Sequence, residues 1–133
     1  LELEIPDAYI REGVYHDPDR CAELTRELLR LPEPPTCILM PDDFSSIAGG
    51  NAIRSMGLRI PEDVSAVGYD GIQIASVMSP ALTTYRQDTQ ALGRTAAAKL
   101  IELIEKPRTT LVDRILIPGH LVEGASVRAI EVP

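Results

Sequence analysis

Polar and aromatic side chains stand where extended segments of this chain are predicted to end. They are Asp70 after residues 64–69, Asp42 and Asp43 after residues 36–40, and Tyr15 at the end of residues 9–15. Ligands of parallel sheets bind beyond the carboxyl ends of the strands, so these side chains are candidates for one binding site. Carboxylates accept paired hydrogen bonds from hydroxyl groups, and an aromatic face packs against C–H groups. These residue types favour a polar, sugar-like small molecule as the ligand.

The adjacent aspartates and the tyrosine also have structural explanations. A metal ion would need more ligands than Asp42 and Asp43 supply, and neither a histidine nor a third carboxylate lies nearby in the sequence. Capping of the next helix is the favoured role for Asp43, because its side chain can accept from N–H groups of the first turn. Tyr15 could instead be a partly buried side chain that bridges a strand and a helix, and both roles stay open for it.

The sequence carries no pattern that indicates catalysis or a cofactor. A nucleophile elbow, a phosphate-binding loop, a zinc signature and a dinucleotide fingerprint are all absent from it. Cys21 and Cys37 are predicted to be buried thiols, and His16 and His120 to be isolated surface or turn residues. We therefore expect a binding protein rather than an enzyme, with no cofactor and no bound metal.

Alternating extended and helical patterns predict an α/β fold with a mostly parallel sheet. Strands are predicted at residues 9–15, 36–40, 64–69 and 82–86, with a last extended element at residues 114–123 broken at Pro118 and Gly119. Helices are predicted after Asp17 and Pro18, over residues 44–56, and over residues 90–105. Gly49 and Gly50 lie inside the second helix, which suggests that its backbone approaches a neighbour closely.

The length and charge of the chain limit its possible functions. With 133 residues, 44% hydrophobic and 25% charged, residues 1–133 are expected to form one globular domain. A net charge of -7 argues against direct DNA binding, which would require a basic surface. No apolar run has membrane-spanning length, so we expect no membrane partner. Because the chain begins with Leu1 rather than methionine, we interpret it as part of a longer protein.

Three stretches together resemble the LacI/GalR family of bacterial transcription regulators. They are "GLRIPEDVSAVGYD" at residues 57–70, "SPALTTYRQD" at residues 79–88 and "PTCILMPDDFSSIAGG" at residues 35–50. The resemblance extends from about residue 9 to the end of the chain. It implies a periplasmic-binding-protein-like fold of type I, with helices on both faces of the sheet. Residues 1–133 would then be the C-terminal portion of the effector-binding domain, namely its second subdomain and a crossover segment.

The resemblance also implies a function and roles for individual residues. A cytoplasmic regulator of this family binds a small effector, often a sugar, between two subdomains and thereby changes how a separate N-terminal headpiece binds operator DNA. Asp70, Tyr15 and Gln87 match positions that would contact the effector, although Gln87 could equally make ordinary hinge hydrogen bonds. Asp42 stands where the family usually has asparagine, a ligand contact. The alternative is a periplasmic sugar-binding protein of the ribose type, which shares the fold.

Self-association is expected through residues 71–80. This irregular stretch carries apolar side chains that its own core cannot all bury, namely Ile72, Ile74, Val77 and Met78. Apolar area of this kind usually marks an interface, and members of the resembled family form homodimers through the corresponding region.

The resemblance further implies that a central strand of the sheet lies upstream of Leu1. Residues 9–15 and 36–40 would then flank a gap, or one of them would move across to close it. The apolar stripe of the helix at residues 90–105 would need another surface, because in the family this helix packs on the other subdomain. We expect such a chain to become ordered by exchanging elements with a second copy.

Overall fold

The computed structural model describes residues 4–111 and 114–130 and contains a four-stranded mixed sheet. The strands, in both chain and spatial order, are β1 (Cys37–Leu39), β2 (Ser65–Asp70), β3 (Thr83–Arg86) and β4 (His120–Val122). β1, β2 and β3 run parallel, and β4 pairs antiparallel with β3. The carboxyl ends of the three parallel strands therefore meet at one edge of the sheet, as the sequence predicted.

Each of the three long helices follows a capping aspartate and ends close to where the sequence indicates. The helices are α1 (Pro18–Leu29), α2 (Asp43–Ser55), the short α3 (Ile74–Val77) and α4 (Thr89–Glu105), preceded by a 3-10 turn at Asp7–Tyr9. Asp17 caps α1 by accepting from the Arg20 N–H at 3.0 Å, and Asp88 caps α4 by accepting from the Ala91 N–H at 2.8 Å. Within residues 4–111 and 114–130, no helix has the length and apolar character needed to span a membrane.

The predicted capping role of Asp43 is wrong, because Asp42 caps α2. Asp42 Oδ1 accepts from the Ser45 N–H and Asp42 Oδ2 from the Ser45 hydroxyl, each at 2.7 Å. The helix begins at Asp43, one residue earlier than predicted, so the N-cap position moves back to Asp42. The carboxylate of Asp43 is thereby free to face the sheet.

Asp43 is fully buried and joins three separate parts of the fold. Its Oδ2 accepts from the Ile72 N–H at 2.8 Å, just beyond β2, and its Oδ1 accepts from the Thr84 hydroxyl on β3 at 2.6 Å. Gly68 makes room for this contact, since a Cβ atom there would lie 2.3 Å from Asp43 Oδ1. The start of α2 is consequently fixed against β3 and against the turn that follows Asp70.

The main core lies where α1 and α2 pack on one face of the sheet. Its buried side chains are Cys21, Leu28, Ile38, Met40, Ile53 and Val64. Gly49 permits the close approach, because a Cβ atom there would lie 2.6 Å from Met40 Cε, as the glycines inside this helix suggested. A Cβ atom at Gly50 would meet only ordinary contacts, so the close-approach explanation applies to Gly49.

Ser126 closes the other end of the sheet, where β2 and β3 begin. Its hydroxyl donates to the Ala66 carbonyl at 2.6 Å and accepts from the Thr83 N–H at 2.8 Å. Its own carbonyl accepts from the Ala66 N–H at 2.9 Å. The segment after β4 therefore bridges two parallel strands at the end opposite to Asp70.

The second face of the sheet is largely exposed in the described residues. It carries Leu39, Tyr69, Tyr85 and Leu121, of which Leu39 is 71% exposed. The helix layer that the family resemblance implies on this face is not supplied by α1 or α2. Cys37 lies on this face too, so its prediction as a buried thiol is wrong. α4 has no buried residue, and its apolar stripe lacks a partner among the described residues.

Residues 9–15 do not form the predicted strand. Tyr9 ends the 3-10 turn, and residues 10–14 form no regular secondary structure. A cavity of about 1200 Å³, lined by Ile10, Val14 and Leu39 among others, separates this segment from β1. A strand needs a neighbour about 4.8 Å away for its ladder, and across this cavity the segment has none. The cavity lies between the two segments that the family resemblance places on either side of a gap, and both that gap in the sheet and the exchange with a second copy stay predictions.

We expect Asp43→Ala to destabilise the protein strongly. The substitution leaves the buried Thr84 hydroxyl without an acceptor, at a cost of roughly 1–3 kcal/mol. It also removes the acceptor of the part-buried Ile72 N–H, which should cost less because water can partly replace it. Asp43→Asn should cost less, because its amide keeps one acceptor and the Thr84 hydroxyl can turn to accept. The measurement is urea unfolding followed by circular dichroism.

Asp63→Ala is the matched control for the loss of an aspartate. Asp63 forms an exposed ion pair with Arg59 at 2.9 Å, and exposed pairs contribute little to stability. If Asp43→Ala and Asp63→Ala shift the urea midpoint equally, the buried carboxylate has no special role in the fold.

Candidate functional site

Three of the predicted site residues meet at the carboxyl edge of the sheet. Asp70, at the end of β2, accepts from the Tyr15 hydroxyl through Oδ2 at 3.1 Å. Its Oδ1 accepts from Gln87 Nε2 at 2.6 Å. Tyr15, Asp70 and Gln87 come from distant parts of the sequence, so the fold, rather than chain proximity, brings them together.

The register of β2 and β3 places Gln87 beside Asp70. Asp70 pairs with Arg86 in the parallel ladder, and the Gln87 N–H donates to the Asp70 carbonyl at 3.3 Å. Asp70 has a φ of 98°, a left-handed conformation that is uncommon for any residue except glycine. Strained backbone of this kind is concentrated at functional sites.

The turn after Asp70 is fixed from two sides. The Arg86 guanidinium donates through Nε to the Gly71 carbonyl at 2.9 Å, while Asp43 accepts from the Ile72 N–H. Gly71 has a φ of 69°, and a Cβ atom there would lie 2.3 Å from Arg86 Cβ, so only glycine fits. These contacts account for the persistence of the strained conformation at Asp70.

The hydrogen bond to Asp70 also changes the chemistry of Tyr15. It raises the pKa of the Tyr15 phenol above its ordinary value, because the bond to a carboxylate stabilises the protonated phenol, and desolvation and the nearby charge of Asp70 act in the same direction. The Tyr15 side chain is nevertheless exposed, at 61%. Each oxygen of an ionised carboxylate has two acceptor positions, so each oxygen of Asp70 keeps one for a ligand.

Two aromatic side chains that the sequence did not indicate extend the site. His16 stacks on Tyr15 with ring centroids 4.1 Å apart and planes inclined by 23°, and Phe44 follows at 6.0 Å from His16. His16 is exposed and lies in a turn, as the sequence indicated, and the structure adds that its ring stacks on Tyr15. The positions of both rings in the sequence could have indicated them, since His16 follows Tyr15 directly and Phe44 follows the aspartates at the end of β1.

Asp42 does not join this hydrogen-bonded group. It is 1% exposed, and both of its oxygens accept from Ser45 as the cap of α2. Its charge contributes slightly to the raised pKa of Tyr15, so it acts on the site through space. A direct contact between Asp42 and a ligand would require opening the cap.

The site consists of hydrogen-bond acceptors and aromatic rings, without a group of metal ligands. Over residues 4–111 and 114–130, no three histidine, cysteine, aspartate or glutamate side chains are arranged to hold a metal ion. An exposed ring beside a carboxylate with free acceptor positions matches the two kinds of group on a sugar, C–H groups that pack on rings and hydroxyls that donate hydrogen bonds.

Comparison with known proteins identifies the family. Residues 4–127 match the model of the periplasmic binding protein-like domain. A probable HTH-type transcriptional repressor, ExuR of Bacillus subtilis (strain 168), is 32% identical over 126 residues, which cover 95% of this chain and 37% of ExuR.

Two solved structures of regulators match the fold. The complex of the transcriptional regulator CelR with cellobiose superposes with a TM-score of 0.84 at 30% identity, covering 93% of this chain and 37% of CelR. The lac repressor dimer bound to operator gives a TM-score of 0.74 at 31% identity, covering 83% of this chain and 38% of the repressor. The chain thus spans less than two fifths of the length of these three relatives. It belongs to the periplasmic binding protein-like family, and its relatives there are regulators of the LacI type.

Proposed function

We propose that this chain is the C-terminal portion of the effector-binding domain of a LacI-type transcription regulator, and that its effector is a small carbohydrate or a related metabolite. The regulator would be cytoplasmic, would act as a homodimer, and would bind operator DNA through a separate N-terminal headpiece. The chain itself would bind and signal rather than catalyse.

The observation that carries this proposal is the contact of Tyr15 and Gln87 with the carboxylate of Asp70. Three segments converge to present one carboxylate with two free acceptor positions, and an exposed ring lies next to it. Asp70, Tyr15 and Gln87 are therefore the proposed effector contacts. Asp42 is proposed to support them through the cap of α2 rather than by touching the effector.

The relatives support a sugar effector and a role in transcription. CelR is solved with cellobiose, and ExuR is named a repressor with a helix-turn-helix. A periplasmic sugar-binding protein, the alternative interpretation, is not favoured because the relatives compared above are regulators of transcription. The net charge of -7 is consistent with DNA contacts made by another part of the protein.

The proposed homodimer would use the segment that contains α3. Val77 is 75% exposed and Ile72 is exposed beside it, whereas Ile74 and Met78 are half-buried and Met78 packs on the core. The apolar contact with a second copy would therefore come mainly from Ile72 and Val77. The half-buried side chains of Ile74 and Met78 would contribute less area to it.

We expect Asp70→Ala to weaken effector binding in the intact regulator. Loss of hydrogen bonds from effector hydroxyls to a carboxylate should cost roughly 1–3 kcal/mol, or about 5- to 150-fold in Kd. The measurement is calorimetric titration with cellobiose, ribose and lactose, to find a sugar that binds, followed by titration of the variants. Asp70→Asn should bind with intermediate affinity, since it retains one acceptor oxygen.

The remote aspartate variant Asp63→Ala controls for a change in net charge and should bind like the wild type. Equal affinities of Asp70→Ala and wild type would show that Asp70 has only a structural role. A wild-type protein that binds no sugar, but another small metabolite, would overturn the carbohydrate assignment.

We expect Val77→Glu to shift the dimer towards monomer, because a charge replaces an exposed apolar side chain at the contact. The measurement is sedimentation equilibrium of the intact regulator over a micromolar concentration range. Gln73→Glu introduces the same charge into the same segment without removing apolar surface, so it serves as the control. A Val77→Glu protein that stays as dimeric as the control would place the interface elsewhere.

A further inference from the structure

Tyr15, His16 and Phe44 form a row of three rings that begins at the effector site and ends on α2. We propose that His16 is a positioning residue of this site: by stacking on Tyr15, its imidazole ring holds the tyrosine in the orientation that binds Asp70 and leaves one ring face for the effector. This inference rests on the function proposed above and assigns a role to a residue whose side chain contacts its neighbours through its ring.

The Tyr15 ring is restrained at two places. Its hydroxyl is tied to Asp70 Oδ2 at 3.1 Å, and its face lies against the His16 ring at a centroid distance of 4.1 Å. A phenol held by a single hydrogen bond can still rotate about its Cα–Cβ bond, which swings the ring and carries the hydroxyl away from Asp70. The stacked imidazole removes that freedom, and removing freedom before binding increases affinity.

The backbone at His16 is adapted to make this stack. His16 has a φ of 58°, in the left-handed region, and lies between Tyr15 and Asp17, the cap of α1. Histidine is one of the few residue types, besides glycine, that are enriched in this conformation. The reversal turns the chain so that two consecutive side chains face each other, which an extended chain cannot achieve because its side chains alternate.

Phe44 is the second ring beside the imidazole of His16. The two ring centroids are 6.0 Å apart with planes inclined by 43°, within the range of favourable aromatic pairs. Phe44 belongs to the first turn of α2, whose start is fixed by Asp42 and Asp43. The contacts between Phe44 and His16 and between His16 and Tyr15 therefore fix Tyr15 relative to α2.

The stack also determines how an effector can lie. With one face covered by His16, Tyr15 offers only its other face to the C–H groups of a sugar. The hydroxyls at the edge of that sugar would have to reach Asp70, to which the Tyr15 oxygen is bonded. A flat ligand is thus fixed in one orientation, and His16 restricts specificity without touching the ligand.

A measurement without ligand tests the positioning role. The bond to Asp70 raises the pKa of the Tyr15 phenol, so a looser ring should titrate at lower pH. Ultraviolet pH titration of the intact protein, with each variant compared with the same variant carrying Tyr15→Phe, isolates the signal of Tyr15. His16→Asn removes the ring but suits the left-handed backbone, whereas His16→Phe retains a ring.

We expect His16→Asn to lower the pKa of Tyr15 towards its ordinary value and His16→Phe to restore it. A pKa unchanged in His16→Asn would overturn the proposal. A pKa lowered equally in both variants would also overturn it, because a stacked ring would then not be what holds Tyr15.

Sugar binding provides the second test. His16→Asn should raise the Kd for cellobiose, or for another sugar that the wild type binds, by about 2- to 10-fold, the range for loss of one aromatic pair. In a Tyr15→Ala background it should change the Kd no further, because His16 acts through Tyr15. A further loss in that background would show direct contact and overturn the positioning role. If the wild type binds no sugar, the proposed effector class fails, while the phenol titration still decides whether His16 positions Tyr15.

Discussion

One buried carboxylate fixes the relative positions of the elements that end at the binding edge. Asp43 opens α2, yet its oxygens serve the turn after β2 and the hydroxyl of Thr84 on β3. A buried acceptor of this kind is stable only when its donors are in place, and the donors in turn lose their partner if it leaves. The helix, the turn and the strand can therefore not shift independently, which is what a preorganised site requires.

The carboxylate of Asp70, a proposed effector contact, depends indirectly on the hydrogen bonds of Asp43. Asp70 adopts a left-handed backbone, and Gly71 beside it accepts a bond from Arg86 while Asp43 holds the next N–H. The strain is thus stabilised by hydrogen bonds from β3 and from the start of α2. The same geometry presents the Asp70 side chain to Tyr15 and Gln87 rather than to the core.

Sequence patterns predicted the parts of the fold that local chemistry determines. The start of α1 follows from the capping residue Asp17, α4 from its apolar stripe, and buried strands from short apolar runs, so α1, α4 and the parallel strands were found within a few residues. The resemblance to a family contributed Gln87, which now lies beside Asp70. The sequence could not show that Asp42 caps α2 while Asp43 binds the turn and β3, because this depends on where Thr84 and Ile72 lie in space. The stack of His16 on Tyr15 depends similarly on one backbone reversal.

The buried polar side chains of the described residues find hydrogen-bond partners within the chain, whereas much of its apolar surface is exposed. The hydrogen bonds that shape the binding edge lie within the chain, and no buried side-chain polar atom of the described residues lacks a partner. The apolar surfaces are open: Leu39 and Tyr69 lie on an uncovered sheet face, and α4 buries none of its residues. Any surface of suitable shape can cover an apolar area, whereas a hydrogen-bonded site needs donors and acceptors at defined distances and angles. The geometry around Asp70 therefore does not depend on what covers the apolar surfaces, because the hydrogen bonds that shape it are made within the chain.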